Sequence, residues 1–114
     1  MQPKTPKLLE DIRDAAAFIQ EGVRGKTLDD YRADRILRQA IERNFEIIGE
    51  AMKRLAQHDA ASAARIGEYR QIIAFRNILI HGYDLVDHRL VWSTIEQQVP
   101  ALLNDVAALL GSRS

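Results

Sequence analysis

Apolar residues recur along this chain at spacings of three and four and never alternate with period two over a useful length, so the sequence predicts helices throughout. Leu8, Ile12, Ala15, Ala16, Ile19 and Val23 mark one face of a first helix, with Pro3 and Pro6 before it and Gly22 and Gly25 at its end. In "TLDD", Thr27 stands as an N-cap with Asp30 three residues on, a variant of the capping box that opens a short helical turn. The longest pattern, "RILRQAIERNFEIIGEAMKRLA", places Ile36, Leu37, Ala40, Ile41, Phe45, Ile48, Ala51, Met52 and Leu55 on a buried face. Gly49 inside it costs about 1 kcal/mol relative to alanine, and its presence points to the close approach of a neighbouring helix.

The tract "QHDAASAARIG" is small and polar and predicts a loop or a frayed end. A further helix runs through "EYRQIIAFRNILI", with Ile72, Ile73, Leu79 and Ile80 as its core and a break near Gly82. The final segment, "DHRLVWSTIEQQVPALLNDVAALLG", is helical in pattern, with a kink or restart expected at Pro100. Beyond it Leu102, Leu103, Val106, Leu109 and Leu110 face inward. The expectation is an all-α, up-down bundle of four or five helices forming one domain over residues 1–114.

Charge changes this picture in one respect. Sixteen basic and sixteen acidic residues give a formal net charge of zero, so a nucleic-acid partner requires a local patch rather than a broad basic face. There is no cysteine, which excludes disulfides and thiolate metal sites, and no histidine pair has convincing metal-ligand spacing. No apolar run reaches signal-peptide or membrane-spanning length, and a soluble cytoplasmic protein that needs no cofactor is expected.

Candidate chemistry concentrates in "FRNILIHGYD", residues 75–84, where an apolar helix carries an arginine, an asparagine, a histidine and a tyrosine. Arg76 and Tyr83 are seven apart and share a face, whereas Arg76 and His81 lie about 140° apart around the helix. If the helix loosens at Gly82, His81 and Tyr83 can turn toward the mouth of a cleft that Arg76 also lines. Arginine offers a permanent charge in a planar fork suited to phosphate, and histidine can take or give a proton near neutrality. Such residues also cap and staple helices, and on spacing alone that structural role is the commoner one.

Glu42, Glu46 and Glu50 recur every four residues on the long helix; with Arg43 they are placed to orient Arg76, or else form a solvated i,i+4 stripe. Glu46 and Glu50 lean toward the supporting role. Trp92 is expected in the core or at a dimer interface, Tyr31 and Tyr69 in packing, and His58 and His88 outside the functional site.

"RNILIHGY" fits the Arg-x-x-x-x-His-x-Tyr signature of HEPN domains of the DUF86, or HepT-like, branch. "ERNFEIIGEA" at 42–51 resembles the second-helix signature of that branch, and "VW…I…VPALLNDV" resembles its last helices, so the likeness runs from Leu8 to Leu110. The resemblance implies an all-α homodimer that acts as a metal-independent endoribonuclease, the toxin of a type VII-like HEPN–MNT toxin–antitoxin pair. It places the catalytic roles on Arg76 and His81, a supporting role on Asn77, and AMP transfer from an MNT-type nucleotidyltransferase antitoxin on Tyr83. RNA is then the substrate, and a larger assembly with the antitoxin is possible. A second reading from another class is a non-catalytic helical HEPN module that binds a nucleotidyltransferase and presents its substrate; a third is a helical adaptor in which the motif is structural glue.

Overall fold

The computed structural model describes residues 1–82, 84 and 86–111. They form six helices: α1 (Thr5–Gly22), α2 (Leu28–Ala33), α3 (Arg35–His58), α4 (Ala60–Ala63), α5 (Tyr69–His81) and α6 (His88–Gly111). Two of them, α2 and α4, span six and four residues, so the expected four or five principal helices correspond to α1, α3, α5 and α6 with two short connectors.

Helix α3 lies at the centre. It packs along α1 on one side and α5 on another, α6 lies against α1, and α2 bridges α3 and α6. The body measures 44 × 29 × 19 Å, and the smallest dimension is close to two helix diameters of about 10 Å, so the bundle is two layers thick. The expected helical faces form its core. Leu9, Ile12 and Ile19 of α1, Ile41, Ile48, Met52 and Leu55 of α3, and Val91, Val99, Val106 and Leu109 of α6 are fully or nearly fully buried. Phe45 and Phe75 meet edge to face with centroids 5.1 Å apart and fasten α5 to α3.

Local signals in the sequence set several boundaries. The side chain of Thr27 accepts from the Asp30 amide while the Asp30 carboxylate accepts from the Thr27 amide, a complete capping box at the start of α2. Helix α5 ends at His81 and Gly82 follows as its C-cap.

Four expectations require correction. Ile36, assigned to the core by its spacing, is 83% exposed because it falls in the first turn of α3, ahead of the point where the bundle closes around the helix. On α1, Leu9 and not Leu8 holds the fully buried position, with Leu8 half-buried beside it. On α5 the buried set is Ile72, Phe75 and Leu79, whereas Ile73 and Ile80 are half-buried, since α3 is the only helix among the described residues with extensive packing against α5. The restart allowed for at Pro100 does not occur: α6 runs as one helix across it with the proline exposed.

The polar tract after α3 is also structured. Helix α3 continues to His58, and Asp59 then caps α4 by accepting from the Ser62 amide at 3.2 Å. The same carboxylate accepts from the hydroxyls of Thr5 at 2.7 Å and Ser62 at 2.8 Å and from the backbone amide of Gln2 at 3.2 Å. Thr5 and Asp59 are buried, so these bonds replace water around a charge that would otherwise be costly to bury. They stitch the first turn of α1 to the α3–α4 junction across more than fifty residues of chain. Past α4, Ile66 is buried, the Gly67 amide donates to Asp105 of α6 at 3.0 Å, and Glu68 takes the left-handed conformation that turns the chain into α5.

The Thr5 hydroxyl, and after it that of Ser62, holds the Asp59 carboxyl well below the usual carboxylate range. Because the folded-state pKa lies below the ~3.9 of an unfolded aspartate, this stabilisation is complete above about pH 4 and is lost as the pH falls toward the folded value. Asp59→Ala removes a cap and leaves the Thr5 hydroxyl unpartnered; a loss of about 2–3 kcal/mol is expected in urea denaturation at pH 7. At pH 3 the difference between variant and wild type should shrink; an equal gap at both pH values would show that the charge of Asp59 contributes nothing.

Candidate active site

Arg76 reaches its place through a close helix crossing. A Cβ built on Gly49 of α3 would lie 2.3 Å from Cβ of Arg76 and 2.9 Å from its Cγ and Cδ, so the arginine stem occupies the space that any other residue would fill. Gly49 thus gives up helix propensity to let α5 lie against α3, as its position in the pattern suggested. The guanidinium passes beside it to Glu50, where Nη2 stands 2.9 Å from Oε2, and Nη1 donates to the side-chain oxygen of the neighbouring Asn77 at 3.2 Å. Arg76 is 20% exposed, and its Nε is buried with no hydrogen-bond partner.

Glu50 is shared. Its other oxygen, Oε1, pairs with Nε of Arg54 at 3.1 Å, one turn along α3. One carboxylate therefore holds two arginines and leaves one positive charge uncompensated. Glu46, a turn earlier, pairs with Arg43 at 3.8 Å and not with Arg76, although all of these residues line the same open pocket of about 250 Å³. Its apolar wall is formed by Leu8, Ile47 and Ile80. A pocket with fixed guanidinium groups beside an apolar wall suits a phosphate ester, whose charge the arginines can stabilise as it grows in a transition state.

The remaining motif residues do not all reach this pocket. Asn77 and His81 are exposed on α5, and His81 does not line the Arg76 pocket: five residues beyond Arg76, it points about 140° around the helix and stands about 7.5 Å farther along its axis. Loosening at Gly82 does not bring the two together, because α5 stays helical through His81. Tyr83 lies outside the described residues. Glu42 stands two turns before Glu50 and about 80° around α3 from it, where burial raises its carboxyl above the usual range and His88 partly offsets that rise. There Tyr31 is fully buried, edge-on to His88 with centroids 5.9 Å apart and tilted against Trp92 at 5.7 Å. Tyr31 and Trp92 thus take the packing positions expected of them. Sequence spacing did not single out Arg54, although its position four residues after Glu50 could have revealed it.

Residues 12–109 match the ribonuclease HepT-like family. The chain belongs to that family. Among relatives of the HepT-like chain, a protein named "Putative RNase" from Caldanaerobacter subterraneus subsp. tengcongensis is 35% identical over 108 residues, covering 94% of this chain and 96% of that one. One named "Probable ribonuclease HepT" from Thermococcus cleftensis is 35% identical over 94 residues, covering 82% and 84%. Another "Putative RNase", from Methanocaldococcus jannaschii, is 30% identical over 98 residues, covering 86% and 89%. No solved structure matches the chain. Among the described residues no helix is long and apolar enough to cross a membrane, and the all-α bundle agrees with the HEPN-like fold expected from the motif.

Gly49→Ala tests the crossing. Alanine improves helix propensity by about 1 kcal/mol, yet its methyl group would overlap the Arg76 stem, so a net loss of about 1–3 kcal/mol is expected in chemical denaturation. A variant as stable as wild type would mean that the helices do not approach this closely.

Proposed function

We propose that this HepT-like chain is a metal-independent endoribonuclease and the toxin of a HEPN–MNT pair, with Arg76 and His81 as its catalytic residues. The observation that carries the reading is the built arginine site: Arg76, seated in a glycine-lined crossing and fixed by Glu50 and Asn77, on the same helix as an exposed histidine. Family membership and the ribonuclease names of the relatives support RNA as the substrate.

In this mechanism the imidazole of His81 takes the proton of a ribose 2′-hydroxyl, and the freed oxygen attacks the adjacent phosphorus. The bond to the 5′-oxygen breaks, and that oxygen receives a proton from a protonated imidazole. The products are a 2′,3′-cyclic phosphate and a 5′-hydroxyl end. Arg76 stabilises the charge on the equatorial phosphorane oxygens, the part that a metal ion plays in other phosphodiesterases. Asn77 and Glu50 position the guanidinium, and Glu46 keeps Arg43 at the pocket wall.

Arg76 and His81 of one chain face different directions, which favours a site completed by two chains. A C2 homodimer that crosses its α5 helices would set the partner's His81 at the Arg76 pocket. The outer face of α5 suits such a contact: Ile78 is 46% exposed, and α5 has no extensive packing against any helix but α3 among the described residues. Control of the site is assigned to Tyr83. Its phenolic oxygen would attack the α-phosphorus of ATP on the nucleotidyltransferase partner, releasing pyrophosphate and leaving AMP as a bulky anion beside the RNA site.

Arg76→Ala and His81→Ala should each lower RNA cleavage at least 100-fold with the helical circular dichroism spectrum preserved, and EDTA should leave wild-type cleavage unchanged. Cleavage by His81→Ala at the wild-type rate would remove His81 from the mechanism. Tyr83→Phe should stay active after incubation with the partner transferase and ATP; silencing of that variant by nucleotide transfer would place the modification elsewhere.

A further inference from the structure

A second, larger cavity of about 770 Å³ opens between the start of α1 and the last turns of α3, and it is continuous with the Arg76 pocket through Leu8, Asp11, Glu50 and Arg54. Lys4, just before α1, and Lys7 of α1 line one side; Lys53, Arg54 and His58 line it from α3. Together the two cavities hold six fixed cations (Arg43, Arg76, Arg54, Lys4, Lys7 and Lys53) and three carboxylates (Asp11, Glu46 and Glu50), a net charge of +3 on a chain whose formal charge is zero.

The excess has a direction. Near Arg76 the charges are mostly matched: Glu46 takes Arg43, and Glu50 divides itself between Arg54 and Arg76. Lys7 is matched by Asp11 at 2.7 Å. Lys4 and Lys53 have no ion-pair partner among the described residues, and they line the outer cavity from its two walls. Positive charge is therefore least compensated away from the catalytic arginine, in a groove leading up to it. From the level of Glu50 to that of His58 the groove follows α3 for about 12 Å, enough for about three nucleotides at the ~3.4 Å rise of a stacked strand.

We infer that this groove between α1 and α3 is the track for the single-stranded RNA backbone, with Lys4 and Lys53 contacting phosphates outside the scissile one. The inference rests on the ribonuclease reading and adds to it the surface that selects a polyanion over a single nucleotide. A chain of zero net charge gains no general attraction for RNA, so a local patch of this kind has to supply its electrostatic affinity.

The test uses the full chain and a fluorescein-labelled 12-nucleotide 2′-O-methyl RNA, which binds but has no 2′-hydroxyl to react. Lys4→Gln/Lys53→Gln should weaken binding about tenfold at low salt. It should also reduce the slope of log affinity against log salt by about 1.4, the value for two phosphates on a single strand. Lys26→Gln/Arg35→Gln removes two exposed charges outside both cavities and should bind as wild type. Equal losses in the two double variants, or wild-type affinity in the groove variant, would overturn the track. So would a groove variant that holds RNA normally but loses its nucleotidyltransferase partner, because the surface would then belong to the protein. Wild-type protein that binds the analogue through Lys4 and Lys53 yet cuts no RNA would uphold the track and refute the nuclease reading.

Discussion

The contact on which the site depends is steric before it is ionic: the stem of Arg76 lies in the space above Gly49. Extensive packing of α5 is with α3 alone among the described residues, so this crossing and the nearby Phe45–Phe75 contact set where the motif helix sits. The arginine is at once the packing residue and the charged group, and its aliphatic stem fixes the guanidinium before Glu50 adds an ion pair. Rotamer entropy that a surface arginine would lose on gripping a phosphate is already lost here on folding.

Much of this arrangement was legible in the residues, for identifiable reasons. Capping by Thr27 and Asp30, the end of α5 at Gly82 and the close approach at Gly49 are local features, each encoded by one or two side chains with strong backbone preferences. Periodicity placed most of the core but misjudged Ile36, because a helical face says nothing about where along its length neighbouring helices begin. Asp59 was illegible for a different reason. Its partners Gln2 and Thr5 lie more than fifty residues away, and a polar carboxylate in a small-residue tract reads as loop until those partners are known.

The site was legible in part. Spacing separated Arg76 from His81 by about 140°, and the structure keeps that separation, with Arg76 in a lined pocket and His81 exposed at the helix end. The supporting acids were less predictable. Glu42, Glu46 and Glu50 share one period, yet only Glu50 meets Arg76; Glu46 turns to Arg43 and Glu42 faces the cluster around Tyr31 and His88. A period of four drifts about 40° per step around a helix of 3.6 residues per turn, so Glu42 stands about 80° from Glu50 and meets different neighbours. Overall charge concealed the rest, since zero is the sum of a basic cleft and an acidic remainder.

The Asp59 clasp has a geometric consequence for that cleft. Thr5 sits between Lys4 and Lys7 on one wall, and Asp59 follows His58 on the other, so the 2.7 Å bond between them is a rivet at the far end of the groove. At the near end, Glu50 ties Arg54 to Arg76 and so joins α3 to α5, not to α1. A channel pinned at its far end has a gauge there, and that width is a property of the folded chain that a bound strand need not impose. Acid that protonates Asp59 would therefore release the rivet and with it the gauge, joining the stability of the bundle to the calibre of its charged cleft.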